Sequence, residues 1–343
     1  MNQKVLALII PSYNMEKYLS HCLDSLLVPN IEKVEIFVIN DGSNDKTSEI
    51  AHHYEASYPD SIRVIDKTNG NYGSCINRAL KEVSAKYIKV LDADDSFEKA
   101  NFCDFLDFLS SINADLVVNN YVWVDQEGNK TRDITFSNEI IYKKYDFEDV
   151  LSTLSQDSFQ MHAVTYNAQV FKNLNYVQSE GVSYTDMEWM FTPMTNVKSV
   201  AFFGKSIYRY LVGRVGQTVD INVSRKSIDQ TIYVVNNLLK LYQEHNNVSN
   251  YHKSYLESRL HHKISSIFRI CLIKIKDSKI YTILYDFDRN LYNCCPSIYN
   301  QTNQETIGRI PFKYIKYWRS RFAKSKKMHF LDFANKLYSI FIK

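Results

Sequence analysis

The six cysteines of this 343-residue chain, at positions 22, 75, 103, 271, 294 and 295, form no C-x-x-C pair, and no histidine group joins them at zinc-site spacing. That excludes a structural zinc module and reads the thiols as reduced and mostly buried. Nine glycines and six prolines are too few for a collagenous chain, and there is no internal repeat. No stretch reaches the ~18 consecutive apolar residues of a membrane span. The opening apolar run, residues 5–10, is too short for a signal segment and ends at Pro11 without a small-residue cleavage pattern, so it is expected to be a buried strand in a cytoplasmic protein. Neither a G-x-G-x-x-G fingerprint nor a phosphate loop ending in Gly-Lys-Ser/Thr is present, which disfavours both of those nucleotide-binding classes.

What is present is enough apolar material for a sizeable core, 45% of residues with 14% aromatic, and a charge distribution that the total of +3 hides. Residues 1–224 carry 20 basic and 30 acidic side chains, net −10, and residues 225–343 carry 21 and 8, net +13. Such asymmetry suits an acidic working domain joined to a segment that meets an anionic surface. The expected boundary follows residue 222, giving domains 1–222 and 223–343, the second a C-terminal helical region because Ile228, Ile232, Val235, Leu239 and Tyr242 keep a 3.6-residue period, as do Leu260, Ile264, Ile267, Phe268, Cys271 and Ile275.

Over the first 125 residues, short apolar strands alternate with helices of about ten residues. Strands are expected at 5–10, 34–39, 62–65, 87–91 and 116–124, with helices near 18–27 (Asn14 as N-cap), 45–54, 74–83 and 99–109. Parallel neighbours need a crossover between them, so this alternation predicts an α/β, doubly wound, mostly parallel sheet. In such sheets the ligand lies beyond the carboxyl ends of the strands. Three strand ends are chemically informative: Pro11 to Asn14, Asn40 to Ser43 and Asp92 to Asp95.

Asp92, Asp94 and Asp95 crowd three carboxylates behind a buried strand, which like-charge repulsion disfavours unless a cation compensates. Mg²⁺ or Mn²⁺, held by one or two carboxylates plus the oxygens of a substrate diphosphate, is the economical answer. Asp41 precedes a Gly42-Ser43 turn and can accept from a ligand N–H. Gly70, Asn71, Gly73 and Asn77 surround a third strand-to-helix junction, where small residues let backbone N–H groups approach an anion.

Together, in this order and spacing, these residues resemble the inverting glycosyltransferases of family 2, which have the GT-A fold. The resemblance covers residues 4–125 well and continues more loosely to about 220. It implies that Pro11 belongs to the donor site, that Tyr13 lines the nucleobase pocket, that Asp41 accepts from the base, that Asp92 lies near the ribose, that Asp94 binds the metal, and that Asp95 neighbours the sugar or metal. Asn71, Gly73 and Asn77 join the donor site. Asn40 departs from the family, which often has a second acid there. Tyr184, Thr185, Asp186 and Met187 resemble the segment carrying the catalytic base. Asp186 keeps the Asp position while Thr185 replaces the usual Glu, and a helix N-terminus favours its ionised form. Tyr208, Arg209 and Tyr210 resemble the last aromatic strand, followed by a loop whose Arg214 suits the leaving diphosphate and whose Gln217 helps close the site. His162 and Trp189 are the acceptor candidates.

Between residues 306 and 343 there are ten basic residues against one acid, Asp332, with aromatics threaded through them. Phe312, Ile315, Trp318 and Phe322 share one helical side, which predicts interfacial helices that dock on an anionic membrane surface, or else pack on the catalytic domain or a second copy of the chain. No nucleic-acid-reading module is present. The expected function is transfer of a hexose from a nucleotide sugar, UDP-linked, to a saccharide or polyprenyl-linked acceptor at the inner membrane face. Its rivals are a sugar nucleotidyltransferase, disfavoured because that class needs a glycine-rich basic loop where Pro11 to Asn14 stand, and a non-catalytic nucleotide-binding scaffold.

Overall fold

The computed structural model describes residues 4–136, 141–153, 159–172, 174–214, 225–245, 248–275, 278–308 and 310–325. It comprises two compact units, Met1–Val215 and Gly216–Lys343. The boundary expected after residue 222 falls at 215–224, outside the described residues, as does Gln217.

The first unit runs β1 (Leu6–Ser12), α1 (Leu19–Asp24), β2 (Val34–Asn40), α2 (Thr47–Ser57), β3 (Ile62–Asp66), α3 (Asn71–Leu80), β4 (Tyr87–Val90), β5 (Ser96–Phe97), α4 (Lys99–Ser111) and β6 (Leu116–Val124). It continues with β7 (Lys130–Ile134), β8 (Lys144–Asp146), α5 (Phe147–Thr153), β9 (Val164–Asn167), α6 (Asp186–Trp189) and β10 (Ser199–Leu211). The strands make one sheet in the order β3-β2-β1-β4-β9-β6-β10-β5, with β7 beside β6 and β8 beside β10. Strands β3, β2, β1 and β4 are parallel, and all seven residues of β1 are buried, as expected of a strand covered on both faces. This is the mixed, mostly parallel GT-A sheet that the sequence predicts.

The sheet does not end near residue 125. β9 inserts antiparallel between β4 and β6, and the thirteen-residue β10 pairs parallel with β6. Four residues of β9 are too few to show a period, and only the folded sheet places them. Two further expectations are corrected. Asn14 does not cap α1: its φ is 54°, its side chain accepts from the Asn44 amide, and Tyr18 precedes the helix. α3 begins at Asn71 rather than Ser74, with Asn71 in the left-handed conformation (φ 64°) that asparagine tolerates better than most residues.

The second unit contains α7 (Ile228–Glu244), α8 (Asn250–Arg269) with a π-helical extension over Ile270–Ile275, α9 (Ser278–Cys294) and α10 (Pro296–Thr302). A hairpin, β11 (Thr306–Ile307) and β12 (Ile310–Lys313), then leads into α11 (Tyr314–Ser325). Leu238, Leu260, Ile264, Phe268, Leu284 and Leu291 are fully buried in its core.

Here the basic tail departs from expectation. Where a helix is expected stand the two strands β11 and β12, and Phe312 lies on β12. Ile315 and Trp318 are 0% exposed, so the apolar side of α11 is spent on this unit's own core and is not offered to lipid. Arg319, one of the ten basic residues of the tail, is a half-buried partner of the buried Asp288, with Nε–H donating at 3.0 Å and Nη2–H at 2.6 Å. Its guanidinium also stacks 3.6 Å from the centre of the Tyr299 ring. The reason is periodicity: an apolar stripe shows that a helix buries one side, and an adjacent core takes that side before a membrane can. The side chain of Phe322 and residues 326–343 lie outside the described residues. Among the described residues no helix is long and apolar enough to cross a membrane.

Candidate active site

The site is built at the carboxyl ends of β1, β2, β3 and β4. Behind β1, Asn14 and Glu16 are tied to the loop after β2: the Asn14 amide donates to Ser43 Oγ at 3.0 Å and the Glu16 amide to Asp45 Oδ2 at 3.0 Å. Pro11 is buried within β1 opposite Ile39, while Tyr13 just beyond is 45% exposed. At the end of β2, Asp41 is buried, and its Oδ1 accepts from Lys67 Nζ at 2.5 Å and from the Gly70 amide at 2.9 Å. Gly42 turns the chain at φ 74°, and a Cβ there would lie 3.0 Å from the Asn69 amide nitrogen, so the loops after β2 and β3 meet only because this residue is glycine.

Gly73 and Asn77 have a different partner from the expected anion. A Cβ on Gly73 would come within 2.1 Å of the Ser179 carbonyl oxygen. Asn77 donates to the Gln178 carbonyl at 2.9 Å and accepts from its amide at 2.8 Å. Both therefore clamp the protein's own segment at 178–180. Glu188 completes the clamp, accepting from the Ser179 amide at 2.7 Å and its hydroxyl at 2.6 Å. That segment leads into α6, whose first residue is the exposed Asp186.

Beyond β4 the three carboxylates have separate partners. Tyr72 donates to Asp92 Oδ1 at 2.9 Å. Asp95 accepts from the Tyr208 hydroxyl at 2.6 Å and the Leu211 amide at 2.7 Å, so β10 grips it from both sides. Asp94 Oδ2 is bonded by Arg214, with Nε and Nη2 each 2.8 Å away. A cavity of about 400 Å³ opens beside this pair, lined by Asn14, Glu16, Lys17, Tyr18, Asp45, Gln126 and Arg214.

Burial, then the Asp94 charge, pushes Asp92 up to about 7, and burial with the Asp92 and Asp94 charges raises Asp95 well above the ordinary range. Burial raises Tyr72 and Tyr210 most, and the Asp186 charge adds a smaller push to both and to Asp92, so Asp186 is within electrostatic reach of the acidic cluster. His162 lies against the rings of Tyr208 and Tyr210, at 4.9 and 4.3 Å between centres, and burial holds it down to about 3, so it is neutral at working pH.

Asp92, Asp95 and His162 each offer a ligand atom, and these atoms lie within 4.8 Å of one another. Two carboxylates whose ionisation is suppressed by burial and mutual repulsion, beside a neutral imidazole, fit a divalent cation that would relieve that repulsion. Trp189 does not meet an acceptor: it is fully buried against Tyr166, Phe171 and Tyr176.

The sequence reading missed Lys67, Tyr72, Glu188 and Lys89. Lys67 follows β3 directly, so inspection of every strand end would have found it. Lys89 is fully buried on β4, with Nζ donating to Asn119 Oδ1 (3.0 Å) and to the carbonyls of His162 (2.9 Å) and Val164 (3.0 Å). It fixes the chain segment that carries His162, and no local pattern announces a buried lysine.

A pH dependence follows. An unfolded Asp titrates near 3.8 and folded Asp92 near about 7, so the metal-free fold holds a proton that the unfolded chain releases between these values. Its stability is expected to fall as pH rises through that window. Mn²⁺, which needs the ionised form, is expected to bind more tightly over the same range. Melting with chelator and with Mn²⁺ at about pH 5 and about pH 8 checks both signs, and a pH-independent Mn²⁺ affinity would refute the assignment.

Residues 7–171 match the family described as Glycosyl transferase family 2. Glycosyltransferase GlyA of Streptococcus pneumoniae is 28% identical over 178 residues, which is 50% of this chain but 25% of that protein, so the chain spans a quarter of that relative's length. Putative glycosyltransferase EpsH of Bacillus subtilis is 21% identical over 347 residues, covering 98% of this chain and 96% of its own. Among solved structures, mannosyltransferase PcManGT from Pyrobaculum calidifontis, in complex with GDP-Man and Mn²⁺, shares the fold with a TM-score of 0.50 and 13% identity, covering 99% of this chain and 85% of that one. The stretch 7–171, which carries most of the GT-A sheet and the acidic cluster behind β4, is thus a glycosyl transferase family 2 domain.

Proposed function

We propose that this enzyme transfers a hexose from a nucleotide sugar, with UDP as the nucleotide, to a hydroxyl of a saccharide or lipid-linked saccharide, inverting the anomeric carbon. The observation that carries the reading is the acidic cluster behind β4 within electrostatic reach of a separate, exposed carboxylate, Asp186. Asp41 accepts the base N–H through Oδ2, because Oδ1 already takes Lys67 and Gly70. Tyr13 covers the base and Asp92 meets the ribose. A divalent cation, Mn²⁺ or Mg²⁺, would be held by Asp94 with the neighbouring acids and would supply neutralisation of the diphosphate. Arg214 bonds the diphosphate as it leaves. Asp186 takes the proton of the acceptor hydroxyl, which attacks from the face opposite the leaving group, and one-step displacement inverts the centre.

In a bacterial polysaccharide or glycolipid pathway the acceptor would be polyprenyl-linked at the inner membrane face. With Ile315 and Trp318 committed to the core, contact with anionic lipid would fall to the tail's basic residues, the exposed Lys313, Lys316 and Arg321 together with Lys326, Lys327, Lys336 and Lys343.

Asp94→Ala is expected to remove the gain in UDP affinity that Mn²⁺ confers, an enhancement of about 5–150-fold for ligands coupled in this way. Calorimetric titration with UDP, with and without Mn²⁺, reads it. A variant whose UDP affinity still rises with Mn²⁺ as the parent's does would remove Asp94 from the metal site.

A further inference from the structure

Asp94 is the carboxylate assigned above to the metal, yet Arg214 already occupies it. Both the Nε and Nη2 contacts converge on the same oxygen, Oδ2, at 2.8 Å. The guanidinium carbon also lies 5.5 Å from the centre of the Tyr18 ring, and the side chain walls the cavity shared by Asn14, Lys17 and Gln126, so the arginine has a defined resting place. Asp92 and Asp95 differ: the bonds to their carboxylate oxygens among the described residues come from tyrosine hydroxyls and one backbone amide. Of the three acids, Asp94 alone is thus paired to a permanent cation by a side chain able to swing away.

A divalent cation and a guanidinium cannot share Oδ2, because they need the same lone pairs and repel each other. We propose that Arg214 is a shared counter-cation: it neutralises Asp94 in the absence of ligands and surrenders it to the metal when the donor's diphosphate offers the guanidinium a second anion. This rests on the roles proposed above for Asp94 and Arg214, and it adds that one side chain couples the two binding events.

Arg214 on Asp94 withholds Oδ2 from the metal and sets a positive charge beside the site, so it weakens metal binding. A diphosphate that draws Arg214 away raises metal affinity, and by linkage the metal raises nucleotide affinity by the same factor. Deleting the guanidinium removes that competition. Metal alone then binds more tightly, and the nucleotide loses this means of promoting it.

The test is a titration of Mn²⁺ into the full chain, reading free ion by electron paramagnetic resonance, without nucleotide and with saturating UDP. Arg214→Gln is expected to bind Mn²⁺ alone at least about five-fold more tightly than the parent, and the factor by which UDP tightens Mn²⁺ is expected to shrink by at least about five-fold. Arg214→Lys, which keeps the charge and loses the two-pronged contact, should fall between them. Lys17→Gln removes another positive charge from the same cavity and should match the parent. Unchanged Mn²⁺ affinity in Arg214→Gln overturns the coupling, as does equal tightening in Lys17→Gln, which would reduce the effect to a general field. Failure of every protein to bind Mn²⁺, with or without UDP, overturns the metal reading of the site and this inference with it.

Discussion

The Asp186→Asn enzyme is expected to bind UDP and Mn²⁺ as the parent does and to transfer sugar about 10²–10⁴ times more slowly, the usual contribution of a positioned general base. The substitution keeps the shape of the side chain and removes only the charge that accepts the proton. Its position justifies the expectation. Asp186 is the first residue of α6. It is exposed, whereas its near neighbour Glu188 is buried and fully used in holding Ser179. Glu188 therefore positions the segment that presents Asp186, and under the proposed function the base role stays with Asp186. Single-turnover assays with a donor screen, alongside UDP titration, read the two properties separately. A variant that loses UDP affinity in proportion to rate would show that Asp186 supports donor binding and not proton transfer.

Arg319→Leu is expected to cost about 3–5 kcal/mol of stability, as is usual when one partner of a buried ion pair is removed. Asp288 is 6% exposed, and without the guanidinium its carboxylate would remain buried with its charge uncompensated. The Tyr299 carbonyl and the Asn303 side chain would lose their Nη1–H donors as well, at 2.9 and 2.8 Å. The urea midpoint reads the loss. Burial already raises Asp288 while Arg319 lowers it, so the variant's Asp288 should titrate higher still. The deficit should therefore grow as pH rises through that folded value and shrink in acid, where the carboxyl is neutral in both states. Replacing both partners by leucine should recover much of the loss, because an apolar pair needs no compensation. A single variant as stable as the parent would return Arg319 to the surface role that its sequence context suggests.

Part of this enzyme could be read along the chain. The runs that became β1, β2 and β4 are continuous and apolar because parallel strands are covered on both faces, and the polar residues that end them lie where such sheets bind ligands. Asp41 and the acids from Asp92 to Asp95 were legible for that reason, and the amphipathic periods of α7 and α8 marked the helical second unit. These are local patterns, set by the geometry of a strand or helix acting on neighbouring residues.

Partnership was decided elsewhere. Arg214 reaches Asp94 across 120 residues, Tyr208 reaches Asp95 across 113, and Lys67 reaches Asp41 across 26. Lys67 meets Asp41 because β3 lies beside β2, and the other two pairings depend on a strand order that includes the insertion of β9 between β4 and β6, which no local period encodes. The stripe of Ile315 and Trp318 announced that α11 would bury one side, and only the packed second unit determined that this side meets a protein core. Residue spacing sets which face of an element is apolar, whereas the contacts that neutralise a charge or cover that face arise when distant segments pack together.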